Sequence, residues 1–164
     1  MGRSKPRSSA SGTGARVWWT ASGLATAGLL VSGYLLLAAL RGYSPICLTG
    51  ACERVATSPY ARMLGLPVAG WGLLLYLAVW AVALMGALRQ GYRAALLPAL
   101  FALVVFGAAF SAYLIWLQVG VLHAVCAWCA ASAALWVALL ATVVMMLRGP
   151  TESKIGPEPD GRSR

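Results

Sequence analysis

The chain has 164 residues, of which 60% are hydrophobic and 10% are charged, and its formal net charge is +9. Soluble globular domains carry about 25% charged residues, so this composition excludes an ordinary soluble domain and predicts a membrane protein. The positive charge indicates attraction to anionic lipid head groups. It does not indicate nucleic-acid binding, because aromatic and basic residues do not alternate as a groove for bases would require.

Four segments carry no charged residue and are long enough to cross a hydrocarbon core of about 30 Å at about 1.5 Å per helical residue. They are residues 17–40, 66–88, 94–118 and 124–147. Lipid offers the backbone no hydrogen-bonding partner, so segments of this length must be helical. The predicted fold class is all-α, an integral membrane four-helix bundle with a loop that carries two cysteines between the first two helices.

The first apolar segment follows a basic leader, as the core of a secretory signal peptide does. It is longer than such a core, which has about 7 to 15 residues, and no clean small-x-small cleavage site precedes Arg41. We therefore predict a retained helix. The leader 1–16 and the tail 148–164 have too few apolar residues to fold, so both are predicted to be disordered on either side of a membrane domain of residues 17–147.

The lysines and arginines predict the orientation of the bundle. The leader and the tail hold four each and the link between the second and third spans holds two, against three in the first loop and none in the third. By the positive-inside rule, both termini face the cytoplasm. The prediction is a multi-pass protein of the inner (cytoplasmic) membrane, with the first and third loops on the extracytoplasmic side.

The four cysteines fall into two close pairs, Cys47 and Cys52 in PICLTGACER and Cys126 and Cys129 in HAVCAWCAAS. The predicted topology places both pairs on the extracytoplasmic side, where disulfides persist. Two structural disulfides are one interpretation. However, a bridge that closes so short a loop removes little chain entropy and stabilises weakly. We therefore favour a redox function for the cysteines.

Cys126 and Cys129 lie at positions i and i+3, on one face of a predicted helix near its N-terminus. Unpaired N–H groups and the helix dipole favour a thiolate there and lower a thiol pKa, whereas burial opposes this, more strongly for the deeper Cys129. Cys126 is thus predicted to be the sulfur that is reached from the loop. Cys129 is predicted to face the interior of the bilayer.

Metal binding is the alternative for four cysteines with His123 nearby. The CxxC spacing occurs only once, and the first loop contributes no histidine. Ala130 follows Cys129 where a haem-attachment motif would have histidine. We therefore predict that the protein holds no metal.

A reduced thiol pair needs an electron acceptor, and the sequence leaves few candidates. There is no GxGxxG motif for a nicotinamide or flavin and no P-loop. No Asp or Glu lies within a predicted span, so a proton-driven transporter has no obvious relay. A two-electron carrier that dissolves in lipid, a quinone, remains.

Two longer stretches carry a family resemblance: CERVATSPYARMLGLPVAGWGLLLYL, which leads into the second span, and YLIWLQVGVLHAVCAWCAASA, which leads into the fourth. In this order and over residues 17–147, the chain resembles the bacterial homologues of vitamin K epoxide reductase. The resemblance implies a membrane thiol oxidase that reoxidises a thioredoxin-fold (DsbA-like) partner outside the cytoplasm. The acceptor would be a quinone of the menaquinone, ubiquinone or phylloquinone type. No fused thioredoxin domain follows the fourth span, which implies a separate partner.

The resemblance also implies roles for single residues. Cys47 and Cys52 would be the shuttle pair, and Cys126 with Cys129 the quinone-facing centre. Ser58 matches a serine near the family's active site, and His123 is either a proton partner of Cys126 or an interfacial side chain. The expected quinone pocket is lined by Phe110, Tyr113, Leu114, Leu117 and Cys129.

Two alternative functions and one alternative family remain at this stage; the functions are vitamin K epoxide or quinone reduction and a structural role, and the family, the DsbB-type oxidases, would perform the same thiol oxidation. Vertebrate members of the family have a tyrosine four residues beyond the second CxxC cysteine, where this chain has Ala133, which puts epoxide reduction in doubt. DsbB-type oxidases place CxxC in the first outer loop and the wider pair in the second, the reverse of the arrangement here. A non-enzymatic membrane subunit with structural disulfides is the alternative from a different class.

Overall fold

A computed structural model describes residues 10–43, 45–46 and 51–148, the side chains of residues 10–13 excepted. Its long helices confirm the all-α prediction. The helices are α1 Ala10–Arg41, α2 Ala51–Ala56, α3 Val68–Leu88, α4 Arg93–Gly120 and α5 Ala127–Arg148. Residues 1–9 and 149–164, which make up most of the predicted disordered leader and tail, lie outside the described residues, and so does Cys47.

Within the described residues, four helices are long and apolar enough to cross a membrane. These spans are Gly14–Arg41, Val68–Leu88, Gln90–Gly120 and Ala127–Arg148, with mean hydropathy from 1.9 to 2.2. This is the architecture of a multi-pass membrane protein. The helix α1 begins at Ala10, within the predicted leader, because each residue added to an existing helix gains a hydrogen bond even where the sequence is no longer apolar.

The four long helices close into a ring. The helix α1 packs against α3 and α5, and α4 packs against the same two neighbours. Because successive spans run in opposite directions, the end of α1, the starts of α3 and α5 and the end of α4 meet at one end of the bundle. We call this the cysteine end, since Cys52, Cys126 and Cys129 all lie there.

Aromatic side chains fill the core of the ring where glycines leave room for them. Tyr76 of α3 is fully buried and stacks on Trp136 of α5, with ring centroids 4.5 Å apart. A Cβ atom at Gly28 would overlap the Tyr76 ring, and one at Gly107 would overlap the Trp136 indole. The Tyr76 hydroxyl lies 3.0 Å from both the carbonyl oxygen and Oγ of Ser132. These contacts set the rotation of α5 relative to α3.

A short hairpin leads the chain from α2 into α3. The strands β1 Arg62–Met63 and β2 Leu66–Pro67 pair antiparallel, and Leu64 and Gly65 between them have φ angles of 54° and 82°. Glycine adopts such a φ without cost, which suits a tight turn. Pro67 then precedes the first residue of α3, where its missing N–H leaves no helical hydrogen bond unmade.

The glycine contacts predict opposite effects for one substitution at two positions of α1. Gly28→Ala should destabilise the protein by about 1 to 3 kcal/mol, because the added methyl overlaps the buried Tyr76 ring. Gly23→Ala is the matched control, since nothing lies within 4 Å of a Cβ there and alanine favours a helix over glycine by up to about 1 kcal/mol. Thermal unfolding in detergent measures both. Equal melting temperatures would contradict the proposed packing.

Candidate functional site

A cavity of about 600 Å³ opens at the cysteine end of the bundle. Every long helix, α2 and the start of the hairpin contribute to its lining. The lining includes Cys52, Cys126 and Cys129, so the structure brings the outer loop and the CxxC motif to one space. We call Cys126 and Cys129 the thiol pair, and both are free thiols.

The thiol pair lies at the start of α5. Cys126 immediately precedes the first helical residue, and its carbonyl oxygen accepts the N–H of Ala130 at 3.0 Å, which is the first turn of the helix. The backbone N–H groups of Trp128 and Cys129 point at the Cys126 sulfur. Helix N-termini leave such N–H groups without partners in the helix itself, so the sulfur takes the position of a capping acceptor.

These contacts make Cys126 the more acidic thiol. The side-chain hydrogen bond from Cys129 lowers the pKa of Cys126 below the usual range of a thiol, and the N–H groups of Cys129 and Trp128 act in the same direction. Burial opposes them, since Cys126 is only 3% exposed. The lowered pKa of Cys126 agrees with the expectation for a thiol at a helix N-terminus. Cys126 is therefore suited to be the thiolate of the pair.

Gln118, near the end of α4, contacts both members of the thiol pair. Its Oε1 accepts a hydrogen bond from the Cys126 N–H at 2.8 Å, and its side chain makes a second hydrogen bond to Cys129. The residue is 3% exposed and lines the cavity. From the sequence, Gln118 is predicted only as the last residue of the third span. The sequence feature that indicates it is a polar side chain within an otherwise apolar span, because polar residues inside a membrane are often functional.

The loop cysteines are described in part. Cys52 lies on α2, is almost completely buried and is disulfide-bonded. Cys47 lies outside the described residues. The short helix α2 thus presents one loop cysteine to the cavity that the thiol pair also lines.

The residue that precedes Cys47 is attached to the first and last helices. The Ile46 N–H donates to the Tyr34 hydroxyl at 3.2 Å, and the Ile46 carbonyl accepts from Nε1 of Trp128 at 3.0 Å. The ring centroids of Tyr34 and Trp128 lie 5.0 Å apart. Because Trp128 stands between the two cysteines of CxxC, the outer loop is tied directly to the thiol pair. No local sequence pattern joins positions 34, 46 and 128, so this contact is not predictable from the sequence.

The structure places most of the expected pocket residues around the cavity. Its lining includes Ser58, Phe110, Leu114, Leu117 and Cys129.

Tyr113 is not part of the lining, as it is 48% exposed and stacks with Trp116 at a centroid distance of 6.3 Å. With about 100° between successive helical residues, Phe110, Leu114 and Leu117 share one face of α4 and Tyr113 lies beyond its edge.

His123 is exposed and outside the cavity lining. Its φ of 49° is unusual for a non-glycine residue, and Nδ1 lies 3.2 Å from the Val121 carbonyl oxygen of its own loop. The structure therefore directs this ring to the loop and not to Cys126. Within the described residues, no group of three or more His, Cys, Asp or Glu side chains is arranged to hold a metal ion.

The contacts of Cys126 predict an unusual pH dependence of its reactivity. In a protein with Cys47, Cys52 and Cys129 replaced by serine, iodoacetamide should alkylate Cys126 at pH values where the cysteine of an unstructured peptide, with a pKa of about 8.5, is protonated and slow. A lowered pKa means that the thiolate persists as the pH falls. Cys129→Ala in place of Cys129→Ser should move the midpoint upward, because the side-chain donor is lost. Midpoints equal to that of the free thiol would refute the assignment.

The attachment of Ile46 can be tested by hydrogen exchange. Tyr34→Phe removes the acceptor of the Ile46 N–H, and a hydrogen bond of about 1 kcal/mol corresponds to an increase of about fivefold in exchange at that amide. Trp128→Phe, which removes the donor to the Ile46 carbonyl, should act in the same direction. Tyr92→Phe changes an exposed tyrosine at the opposite end of the bundle and serves as the control. Unchanged exchange in both variants would show that the loop is held by other contacts.

Comparison with known proteins agrees with this geometry. Residues 19–144 match the family model described as Vitamin K epoxide reductase family. The matched range is well over half of the chain and contains all four cysteines. Members of that family are membrane oxidoreductases that act on thiols and disulfides with quinones.

Proposed function

The chain belongs to the vitamin K epoxide reductase family, and on that basis we propose that it is a quinone-dependent thiol oxidase. In this proposal it reoxidises a separate extracytoplasmic thioredoxin-fold protein and passes the electrons to the membrane quinone pool. The reaction drives disulfide formation outside the cytoplasm. The observation that carries the proposal is that one cavity is lined both by disulfide-bonded Cys52 and by the free thiols of Cys126 and Cys129.

The residues around the cavity fit a quinone head group. A flat apolar ring needs an apolar slot with a few polar groups at its edge. Phe110, Leu114 and Trp136 supply apolar walls, and Ser132 adds a hydroxyl next to the thiol pair. The volume of about 600 Å³ lies within the usual range for small-molecule sites, about 300 to 1,000 Å³. When bound, the quinone would accept two electrons and two protons.

The protein's own cysteines perform the exchange steps in this proposal. A thiolate of the reduced partner attacks the sulfur of Cys47, the bond between Cys47 and Cys52 breaks, and its electron pair leaves on Cys52. The Cys52 thiolate then attacks Cys126 of an oxidised thiol pair. The bond between Cys126 and Cys129 breaks and its electron pair leaves on Cys129. The Cys129 thiolate then lines the cavity. The partner's second thiol displaces Cys47 from the mixed disulfide, so the partner leaves oxidised. The Cys47 thiolate attacks Cys52 of the Cys52–Cys126 bridge, which restores the outer disulfide and leaves the electron pair on Cys126.

The helix geometry supports this assignment of roles. Cys126 immediately precedes α5 and lines the cavity that Cys52 also lines, where an incoming thiolate can reach its sulfur. Cys129 lies one turn further along α5 and lines the cavity together with Phe110 and Leu114 of α4.

The direction of electron flow rests on compartment. Ten of the 13 lysines and arginines lie in the leader, the tail and the link between the second and third spans. The positive-inside rule therefore favours an extracytoplasmic cysteine end. A bacterial periplasm is kept oxidising by a quinone-linked system, so net oxidation of the partner is the favoured direction there.

The proposal is tested with purified protein in detergent. A reduced thioredoxin-fold dithiol and a ubiquinone or menaquinone analogue are supplied, and loss of the quinone absorbance is followed. Wild type should consume quinone in proportion to dithiol, and Cys129→Ala should reduce the rate to the uncatalysed background, because no thiol then delivers electrons to the cavity.

Cys52→Ala separates the two halves of the relay. It should abolish turnover with the protein dithiol and retain turnover with dithiothreitol, which is small enough to reduce the thiol pair directly. Gly23→Ala provides a folded control with all cysteines. Failure of folded wild type to consume quinone with any dithiol would favour a membrane subunit with structural disulfides.

A further inference from the structure

Gln118 is one of the few buried polar side chains of the described bundle. It is 3% exposed, and burial of an amide without hydrogen-bonding partners destabilises a protein. Both ends of its side chain must therefore find partners nearby. The contacts that it makes lie on the segment that carries the thiol pair.

The residue ties this segment to the end of α4 twice. Its backbone carbonyl accepts the N–H of Ala124 at 3.0 Å, and its Oε1 accepts the N–H of Cys126 at 2.8 Å. The Cys126 N–H precedes the first turn of α5, so no carbonyl of that helix can pair with it. The Gln118 side chain thus fills the place of a missing helical acceptor and sets where Cys126 lies.

The chemistry of the amide settles which end faces which partner. A backbone N–H can only donate, so the Gln118 atom that faces it must be the oxygen. The remaining end is the NH₂ group, which can only donate. This end makes the side-chain hydrogen bond to Cys129. A neutral donor is therefore directed at the sulfur that becomes the leaving group.

We propose that Gln118 stabilises the Cys129 thiolate through its NH₂ group while its Oε1 positions Cys126 for attack. The inference rests on the proposed function, in which Cys52 forms a bond to Cys126 and the electron pair of the Cys126–Cys129 bond leaves on Cys129. A hydrogen bond to a charged sulfur is stronger than one to a neutral thiol or disulfide. The donor therefore favours the reduced pair over its disulfide and accelerates the exchange.

The substitution Gln118→Glu tests the donor separately from the acceptor. The carboxylate keeps an oxygen toward the Cys126 N–H, but it places a second, negatively charged oxygen beside Cys129 instead of a donor. Gln118→Met is close in size and removes both hydrogen bonds. Gln90→Glu makes the same chemical change three residues before the start of α4, at the opposite end of the bundle from the thiol pair, and is the matched control. Circular dichroism and thermal unfolding identify any variant that fails to fold.

The first readout needs neither quinone nor partner. In a protein with Cys47, Cys52 and Cys126 replaced by serine, the rate of Cys129 alkylation by iodoacetamide at a fixed pH reports its thiolate fraction. Hydrogen bonds to charged groups are worth about 1.5 to 3 kcal/mol, so Gln118→Glu and Gln118→Met should slow alkylation by about tenfold or more. Gln90→Glu should leave the rate unchanged. A merely structural role would leave the rate with Gln118→Glu equal to that of wild type.

The second readout is the reduction potential of the thiol pair in the protein with Cys47 and Cys52 replaced by serine. Loss of thiolate stabilisation should make the Cys126–Cys129 disulfide harder to reduce in both Gln118 variants. If a folded Gln118→Glu protein showed the same Cys129 alkylation rate and the same reduction potential as wild type, the inference would be overturned. If quinone turnover failed in wild type while both thiol readouts still depended on Gln118, the proposed function would fall and the hydrogen-bonding role of Gln118 would stand.

Discussion

The point at which α5 begins determines the chemistry of the thiol pair. The helix begins at Ala127, so the N–H groups of Trp128 and Cys129 have no helical acceptor and point at the Cys126 sulfur. If the helix had begun at Ala124, the carbonyl oxygens of its first residues would have accepted hydrogen bonds from those N–H groups. The Cys126 sulfur would then have had no backbone donors. The hydrogen bond between the Cys126 N–H and Gln118 holds the segment in its observed place. Together with the side-chain hydrogen bond from Cys129, the position of this helix boundary thus lowers the pKa of Cys126 below that of a thiol within a helix.

The core of the bundle holds α5 so that this boundary faces the cavity. The ring of Tyr76 fills the space that Gly28 leaves, stacks on Trp136 and hydrogen-bonds Ser132, one turn beyond Cys129. Rotation of α5 would break the stacking and the hydrogen bond together, and in the lipid interior a broken hydrogen bond has no water to replace it. The packing that stabilises the fold is therefore also what directs Cys129 at the cavity.

The outer loop depends on the same helix start. Ile46 is held through its N–H by Tyr34 and through its carbonyl by Trp128, which lies between the two cysteines of CxxC. A relay between loop and thiol pair requires sulfur atoms to approach closely, and flexible loops lose entropy when they are brought to one place. Attachment of the loop next to the thiol pair lowers that cost. In the proposed oxidase, the residue that precedes Cys47 is thus held beside the thiol pair.

The sequence by itself determined the membrane class, the number of spans and the two cysteine pairs, because these follow from local composition and spacing. The family resemblance, carried by the stretches around Ser58 and the CxxC motif, was confirmed as well. Only the tertiary structure decided which side chains meet at the cavity. Periodicity could not separate Tyr113 from Leu114 or show that His123 turns to its own loop, because nearly every position of these spans is apolar. When all faces of a helix are apolar enough to contact lipid, packing against the neighbouring helices determines which face lies inside the bundle. The same packing places Gln118 next to the thiol pair.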